Sequence, residues 1–61
     1  MPQRPTHYER SKSLFESNFG IELPSIGIHT ENQFRVEYPE QEYSPAEAVM
    51  EIREDYDLVF K

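Results

Sequence analysis

Hydrophobic and polar residues alternate on both sides of a short polar segment in the middle of the chain, within residues 25–38. Alternation of this kind is typical of a β-hairpin. Residues 30–32 would form the loop, with Asn32 in the left-handed conformation that asparagine tolerates. A shift of one residue would place apolar against polar side chains, so the pattern specifies the register. The predicted inward-facing pairs are Ile28 with Phe34 and Ile26 with Val36.

A helix is predicted before the hairpin. Residues 6–9 read Thr-His-Tyr-Glu, which has the form of a capping box, and Gly20 suits the left-handed position that ends a helix. These two signals predict a first helix from about His7 to Asn18 or Phe19. Its apolar stripe is predicted to consist of Tyr8, Leu14, Phe15 and Phe19.

The strongest local signal follows the hairpin, at residues 44–47. The sequence Ser-Pro-Ala-Glu combines an N-cap serine, a proline at the first helical position and a glutamate three residues after the cap. It predicts a second helix that packs through one apolar face. The predicted members of that face are Ala48, Val49, Ile52 and Tyr56.

The last residues, 56–61, favour a β-strand in which Leu58 and Phe60 share a face. The predicted order is therefore α-β-β-α-β. We expect an α+β fold, with a three-stranded sheet (the hairpin plus the C-terminal strand) and two helices on one of its faces. Residues 1–5 are predicted to be a flexible N-terminal arm, and residues 6–61 a single domain.

Composition narrows the class of protein. The 61 residues include no cysteine, which excludes disulfides and thiolate metal sites. The mean hydropathy is −0.83, and no apolar run approaches the ~20 residues that span a bilayer. The N-terminus lacks the pattern of a signal peptide. We therefore expect a cytoplasmic protein that does not enter a membrane.

No motif for catalysis or for cofactor binding is present. His7 and His29 are the only histidines, lie in different predicted elements and fit no zinc-binding spacing, so both are expected in solvent. No serine lies in a GxSxG turn, and two glycines are too few for a phosphate-binding loop. The sequence predicts a non-enzymatic protein without metal or cofactor.

Negative charge is concentrated in the second half of the chain. The protein has twelve acidic and six basic residues, and residues 37–57 contain eight carboxylates against Arg53 alone. Direct nucleic-acid binding is disfavoured, because it requires lysine and arginine at the phosphates. The carboxylates would either imitate a row of phosphates or form a solvated helix face.

We expect a protein-binding module that regulates or inhibits a larger protein by occupying its surface. Tyrosine is enriched in interfaces because it buries area and keeps a polar end. The predicted partner-binding residues are Tyr38, Glu40, Glu42, Tyr43, Glu47, Glu51, Glu54 and Asp55.

Two other functions stay open. One is an acidic mimic that blocks a DNA- or RNA-binding protein, and the other is a homo-oligomeric accessory subunit that pairs through an edge strand. The predicted hairpin, capped helix and last strand in residues 25–61 resemble many small phage and bacterial regulators, toxin partners and polymerase inhibitors. That resemblance identifies no functional residue. The small size of the chain is the one feature that suggests a phage or mobile-element origin.

Overall fold

A computed structural model describes residues 4–61, and within that range the chain forms helices and no strand. The predicted α+β fold, its hairpin, its three-stranded sheet and the α-β-β-α-β order are therefore wrong. Of the predicted N-terminal arm, residues 1–3 lie outside the described range, and Arg4 and Pro5 are exposed. The elements are α1 (His7–Phe19), a 3-10 helix (Leu23–Ile26), α2 (Glu31–Glu37) and α3 (Pro45–Asp55).

The predicted boundaries of α1 are confirmed. The Thr6 hydroxyl accepts a hydrogen bond from the Glu9 amide at 3.2 Å. At the other end Gly20 adopts φ 72° and its amide donates to the Glu16 carbonyl at 2.8 Å, the left-handed cap that glycine forms without strain. The buried stripe differs from the predicted one, because two polar residues belong to it while Tyr8 and Leu14 are only half-buried. It recurs every four residues and consists of His7, Ser11, Phe15 and Phe19.

The segment predicted as a hairpin contains α2, which is stabilised at its start by a side-chain cap. The Thr30 hydroxyl accepts from the Gln33 amide at 3.1 Å. The Gln33 carboxamide in turn accepts from the His29 amide at 3.0 Å and donates to the Gly27 carbonyl at 2.7 Å. One glutamine side chain therefore satisfies two backbone groups in the segment that leads into α2. An ion pair of 3.5 Å between Glu31 and Arg35, one turn apart, adds a small contribution.

Helical geometry separates the two residues that the hairpin would have placed on one face. Phe34 is fully buried, whereas Val36 is 81% exposed. Of the opposite predicted strand, Ile28 is buried in the segment between the 3-10 helix and α2, and Ile26 is half-buried. The isoleucines therefore contribute to the core without any strand pairing.

α2 ends where Pro39 follows Tyr38. A proline disfavours helical geometry in the residue before it, and Tyr38 leaves the helix at φ −131°. Its amide still donates to the Phe34 carbonyl at 2.8 Å. The exit from α2 thus holds Tyr38 at the end of the helix, above the ring of Phe34.

The predicted capping of α3 is confirmed. The Ser44 hydroxyl accepts from the Glu47 amide and the Glu47 carboxylate accepts from the Ser44 amide, both at 3.3 Å, with Pro45 at the first helical position. The buried face of α3 consists of Ala48, Val49 and Ile52. Tyr56 lies beyond the end of the helix and is 36% exposed, so the predicted helix face extends one residue too far.

The predicted third strand is also wrong, because residues 58–61 run back along the end of α1 without pairing in a sheet. The Lys61 amide donates to the Asn18 carbonyl at 2.7 Å. The Phe60 ring stacks on Phe19 with centroids 5.1 Å apart, and the Arg53 guanidinium lies 4.9 Å from the centre of the Phe60 ring. β-Strand preference in this tail is overridden by aromatic packing on α1.

The core lies where α1 contacts α2, α3 and the 3-10 helix. Phe34 is central to its aromatic part, with ring centroids 5.4 to 5.6 Å from those of His7, Tyr8 and Tyr38. α1, the longest helix with 13 residues, is shorter than a bilayer requires, and none of the helices in residues 4–61 could cross a membrane. The buried apolar residues are Phe15, Phe19, Leu23, Ile28, Phe34, Tyr38, Ala48, Val49 and Ile52.

Alanine substitutions in α2 distinguish the helix from the hairpin. Phe34→Ala should lower the free energy of unfolding by about 3–5 kcal/mol, because it empties the centre of a small core. Val36→Ala should change it by less than about 0.5 kcal/mol, because the side chain is in solvent. Urea unfolding followed by circular dichroism measures both. Comparable large losses for the two variants would instead indicate that both side chains share a buried strand face.

Candidate functional site

Tyr38 connects the three helices. Its carbonyl accepts a hydrogen bond from His7 Nε2 at 3.0 Å, which requires the proton on that nitrogen, since a carbonyl only accepts. Its ring lies 5.6 Å from Phe34 and 5.8 Å from Tyr43, centroid to centroid. Its hydroxyl donates to an Asp55 carboxylate oxygen at 2.7 Å. The start of α1, the end of α2 and the end of α3 therefore meet at one residue.

A cleft opens to solvent beside this junction, with a volume of about 570 Å³. One wall is α3, where Glu51 and Asp55 lie one turn apart and project to the same side. The other walls come from the end of α2, the turn that follows it and the residue after α3. We call this feature the acidic cleft, and its lining residues are Glu37, Tyr38, Tyr43, Glu51, Asp55 and Tyr56.

The three carboxylates of the acidic cleft have no cationic partner in the described part of the chain. The ion pairs within 4.0 Å among residues 4–61 join Arg10 to Glu40 and Arg35 to Glu31, and both are on the surface outside the cleft. A concave site with three acidic groups, tyrosine rings and no internal cation has a negative potential that favours a positively charged ligand.

The environment of the acidic cleft raises the pKa of two tyrosine hydroxyls. Burial raises the pKa of Tyr38 far above the ordinary 10.0, and the hydrogen bond to Asp55 raises it further. Burial also raises the pKa of Tyr56, followed by the negative charges of Glu37 and Asp55. Both phenols therefore stay neutral at physiological pH, with their rings available for packing and one hydroxyl committed to Asp55.

Four of the predicted partner-binding residues come together in the acidic cleft, namely Tyr38, Tyr43, Glu51 and Asp55. Tyr38 is more buried than the sequence suggested, since only 4% of it is exposed. Tyr38 therefore lines the cleft and belongs to the core.

The other four predicted residues lie elsewhere. Glu40 is exposed on the opposite side of the turn, with a carboxylate oxygen 3.9 Å from Arg10. Glu47 caps α3 and borders a neighbouring depression. Glu42 and Glu54 are exposed and line neither the acidic cleft nor that depression. The predicted acidic surface is thus distributed over several faces of the molecule.

The sequence reasoning missed two residues of the cleft and one beneath it. In the predicted hairpin Glu37 alternates with the inward-facing Val36 and so points away from the core, and Tyr56 belongs to the predicted buried face of the second helix. His7, predicted in solvent, is 4% exposed, and its Nδ1 has no partner among the described residues. The position of His7 in the same four-residue repeat as Ser11, Phe15 and Phe19 was the available signal for burial.

His29, by contrast, is exposed. Among residues 4–61 no three histidine, aspartate or glutamate side chains are arranged to hold a metal ion. The acidic cleft offers carboxylate oxygens and tyrosine rings, which suit an organic cation such as a guanidinium or an ammonium group.

The raised pKa of Tyr38 predicts a loss of stability in alkali. The unfolded chain loses the phenol proton near pH 10, whereas the folded chain keeps it to higher pH. The contribution is therefore fully present below about pH 10 and is lost above it, by at most about 1.4 kcal/mol per pH unit. Urea unfolding at about pH 9 and about pH 11 measures this slope.

Tyr38→Phe is the matched variant for that measurement. It should be about 1–2 kcal/mol less stable at neutral pH, because the hydrogen bond to Asp55 is lost. It should also lose less stability than the unmodified chain between the two alkaline pH values, because the Tyr38 phenol is absent. A smaller loss remains, since Tyr56 titrates in both proteins. Equal alkaline losses would show that Tyr38 ionises normally and is not held as described.

Comparison with protein-family models, with curated proteins and with solved structures finds no match to this chain.

Proposed function

We propose that this protein is a small non-enzymatic binding module that receives an arginine or lysine side chain of a larger protein in the acidic cleft. By occupying the surface around that side chain, it regulates or inhibits the larger protein. One observation supports the proposal, namely that three carboxylates with no cationic partner among residues 4–61 share a concave site with three tyrosines.

The chemistry of the cleft fits a basic side chain in two ways. Carboxylates form charge-assisted hydrogen bonds with guanidinium and ammonium groups, which are about twice as strong as neutral hydrogen bonds. Tyrosine faces attract the same cations through the ring quadrupole, by about 0.5–1 kcal/mol at an exposed site. Glu51, Asp55 and Tyr56 together supply both kinds of contact around one volume.

The shape of the cleft also favours a macromolecular partner. It is open along one side, so a side chain that projects from a protein surface can enter without the module closing over it. The cleft volume falls within the range of ordinary ligand sites, roughly 300–1,000 Å³. Tyr38, held on both sides by His7 and Asp55, gives this site a rigid wall.

Pull-down from lysate of the source cells tests the proposal with two double variants of equal charge. Glu37→Gln with Glu51→Gln removes two carboxylates from the cleft, and Glu42→Gln with Glu54→Gln removes two from outside it. Both changes take two charges from the formal −6. We expect the first to weaken the purified complex by at least about tenfold, and the second to leave it nearly unchanged.

The same experiment distinguishes the competing functions. An acidic mimic of nucleic acid would lose affinity equally in both double variants, and its complex would dissociate in salt and compete with DNA. A homo-oligomer would recover only itself, and its melting temperature would rise with concentration. Either of these results would contradict the proposal.

A further inference from the structure

A second, apolar depression lies next to the acidic cleft on the outer face of α3. Its volume is about 230 Å³. We call it the Met50 depression, and it is lined by Tyr43, Ala46, Glu47, Met50 and Glu51. Tyr43 and Glu51 also line the acidic cleft, so the two sites share a wall.

Helical spacing gives this surface its pattern. Ala46 and Met50 lie one turn apart and form an apolar strip, while Glu47 and Glu51 form an acidic strip beside it. Met50 is 44% exposed and Ala46 is exposed, so nothing in residues 4–61 covers the strip. Methionine is unbranched and adapts its shape to what it contacts, which suits a docking position.

The charges around the Met50 depression decide between its possible occupants. In a symmetric dimer the same patch appears on both subunits. Pairing through this face would bring Glu47 and Glu51 of one copy close to the same carboxylates of the other, and like charges in an interface are unfavourable. A partner segment that presents an apolar and a basic residue on the same side has the complementary charge.

We propose that the Met50 depression binds an apolar side chain of the same partner segment whose basic side chain enters the acidic cleft. The inference rests on the proposed function, because the basic side chain positions the apolar one. The proposed partner is therefore a short segment and not any basic surface. In that segment a leucine-like residue and an arginine or lysine project to the same side. In an extended segment those two residues are separated by one intervening residue.

Three N-acetylated tripeptide amides test this inference by titration into isotope-labelled protein, followed by amide NMR shifts. They are leucyl-glycyl-arginine, alanyl-glycyl-arginine and leucyl-glycyl-citrulline. We expect dissociation constants in the millimolar range for the arginine peptides, with the leucyl peptide about fivefold tighter than the alanyl peptide. The citrulline peptide should bind most weakly, because it lacks the positive charge.

Two variants test whether the leucine side chain of the peptide contacts Met50. Met50→Gln keeps the side-chain length and should abolish the preference for leucine over alanine. Val59→Gln changes an 83% exposed apolar residue that lines neither site and should preserve the preference. Circular dichroism confirms that both variants are folded.

The outcomes separate this inference from the proposed function. If both arginine peptides bind the acidic cleft with equal affinity, the inference is overturned and the proposed function stands. A leucine preference that survives in Met50→Gln also overturns it, since the apolar contact is then elsewhere. If no arginine peptide shifts the cleft resonances, the proposed function fails, and the inference with it.

Discussion

The burial of Tyr38 between three helices is the constraint on which the rest of the structure depends. Its carbonyl binds His7, its ring packs on Phe34, and its hydroxyl binds Asp55. A short chain has few such opportunities, because a 61-residue protein buries only about 60% of the surface of its unfolded state. Helix α2, with seven residues, is too short to be stable alone and takes its stability from these tertiary contacts.

The same junction shapes the candidate site. Holding Tyr38 against the end of α3 places Asp55 and Tyr56 opposite Glu37, and the turn that follows α2 brings Tyr43 to the adjacent wall. The acidic cleft is thus a direct result of how α2 ends and α3 is packed. Core and site share Tyr38, so a change to this residue affects the stability of the fold and the shape of the cleft together.

Signals that act within one turn of helix were readable from the sequence. The Thr6 and Gly20 caps of α1, and the Ser44, Pro45 and Glu47 start of α3, depend only on neighbouring residues. The hairpin predicted in place of α2 was wrong because two local signals competed. The alternation of residues 26–36 favours a hairpin. The spacing of Thr30 and Gln33, three residues apart, is that of a capping box and favours the start of a helix.

Tertiary contacts explain what local signals could not predict. The tail after Asp55 has strand-forming residues, but packing of Phe60 on Phe19 decides its conformation. In the site, an excess of carboxylates and tyrosines identified Tyr38, Tyr43, Glu51 and Asp55. These residues lie beside Glu37 and Tyr56 because of the way α2 meets α3. The predicted sheet was wrong in this region, so it could not show that these side chains come together. The burial of His7 against Phe34 likewise follows from the packing of α1 on α2.

The most direct test of this account is an NMR measurement on the labelled protein that combines backbone chemical shifts with ring-to-ring nuclear Overhauser effects. The account predicts helical shifts across residues 31–37 and contacts from the Phe34 ring to the rings of His7 and Tyr38. Extended shifts over residues 25–38, with cross-strand contacts from Ile28 to Phe34 and from Ile26 to Val36, would contradict it. That result would restore the hairpin and remove the acidic cleft.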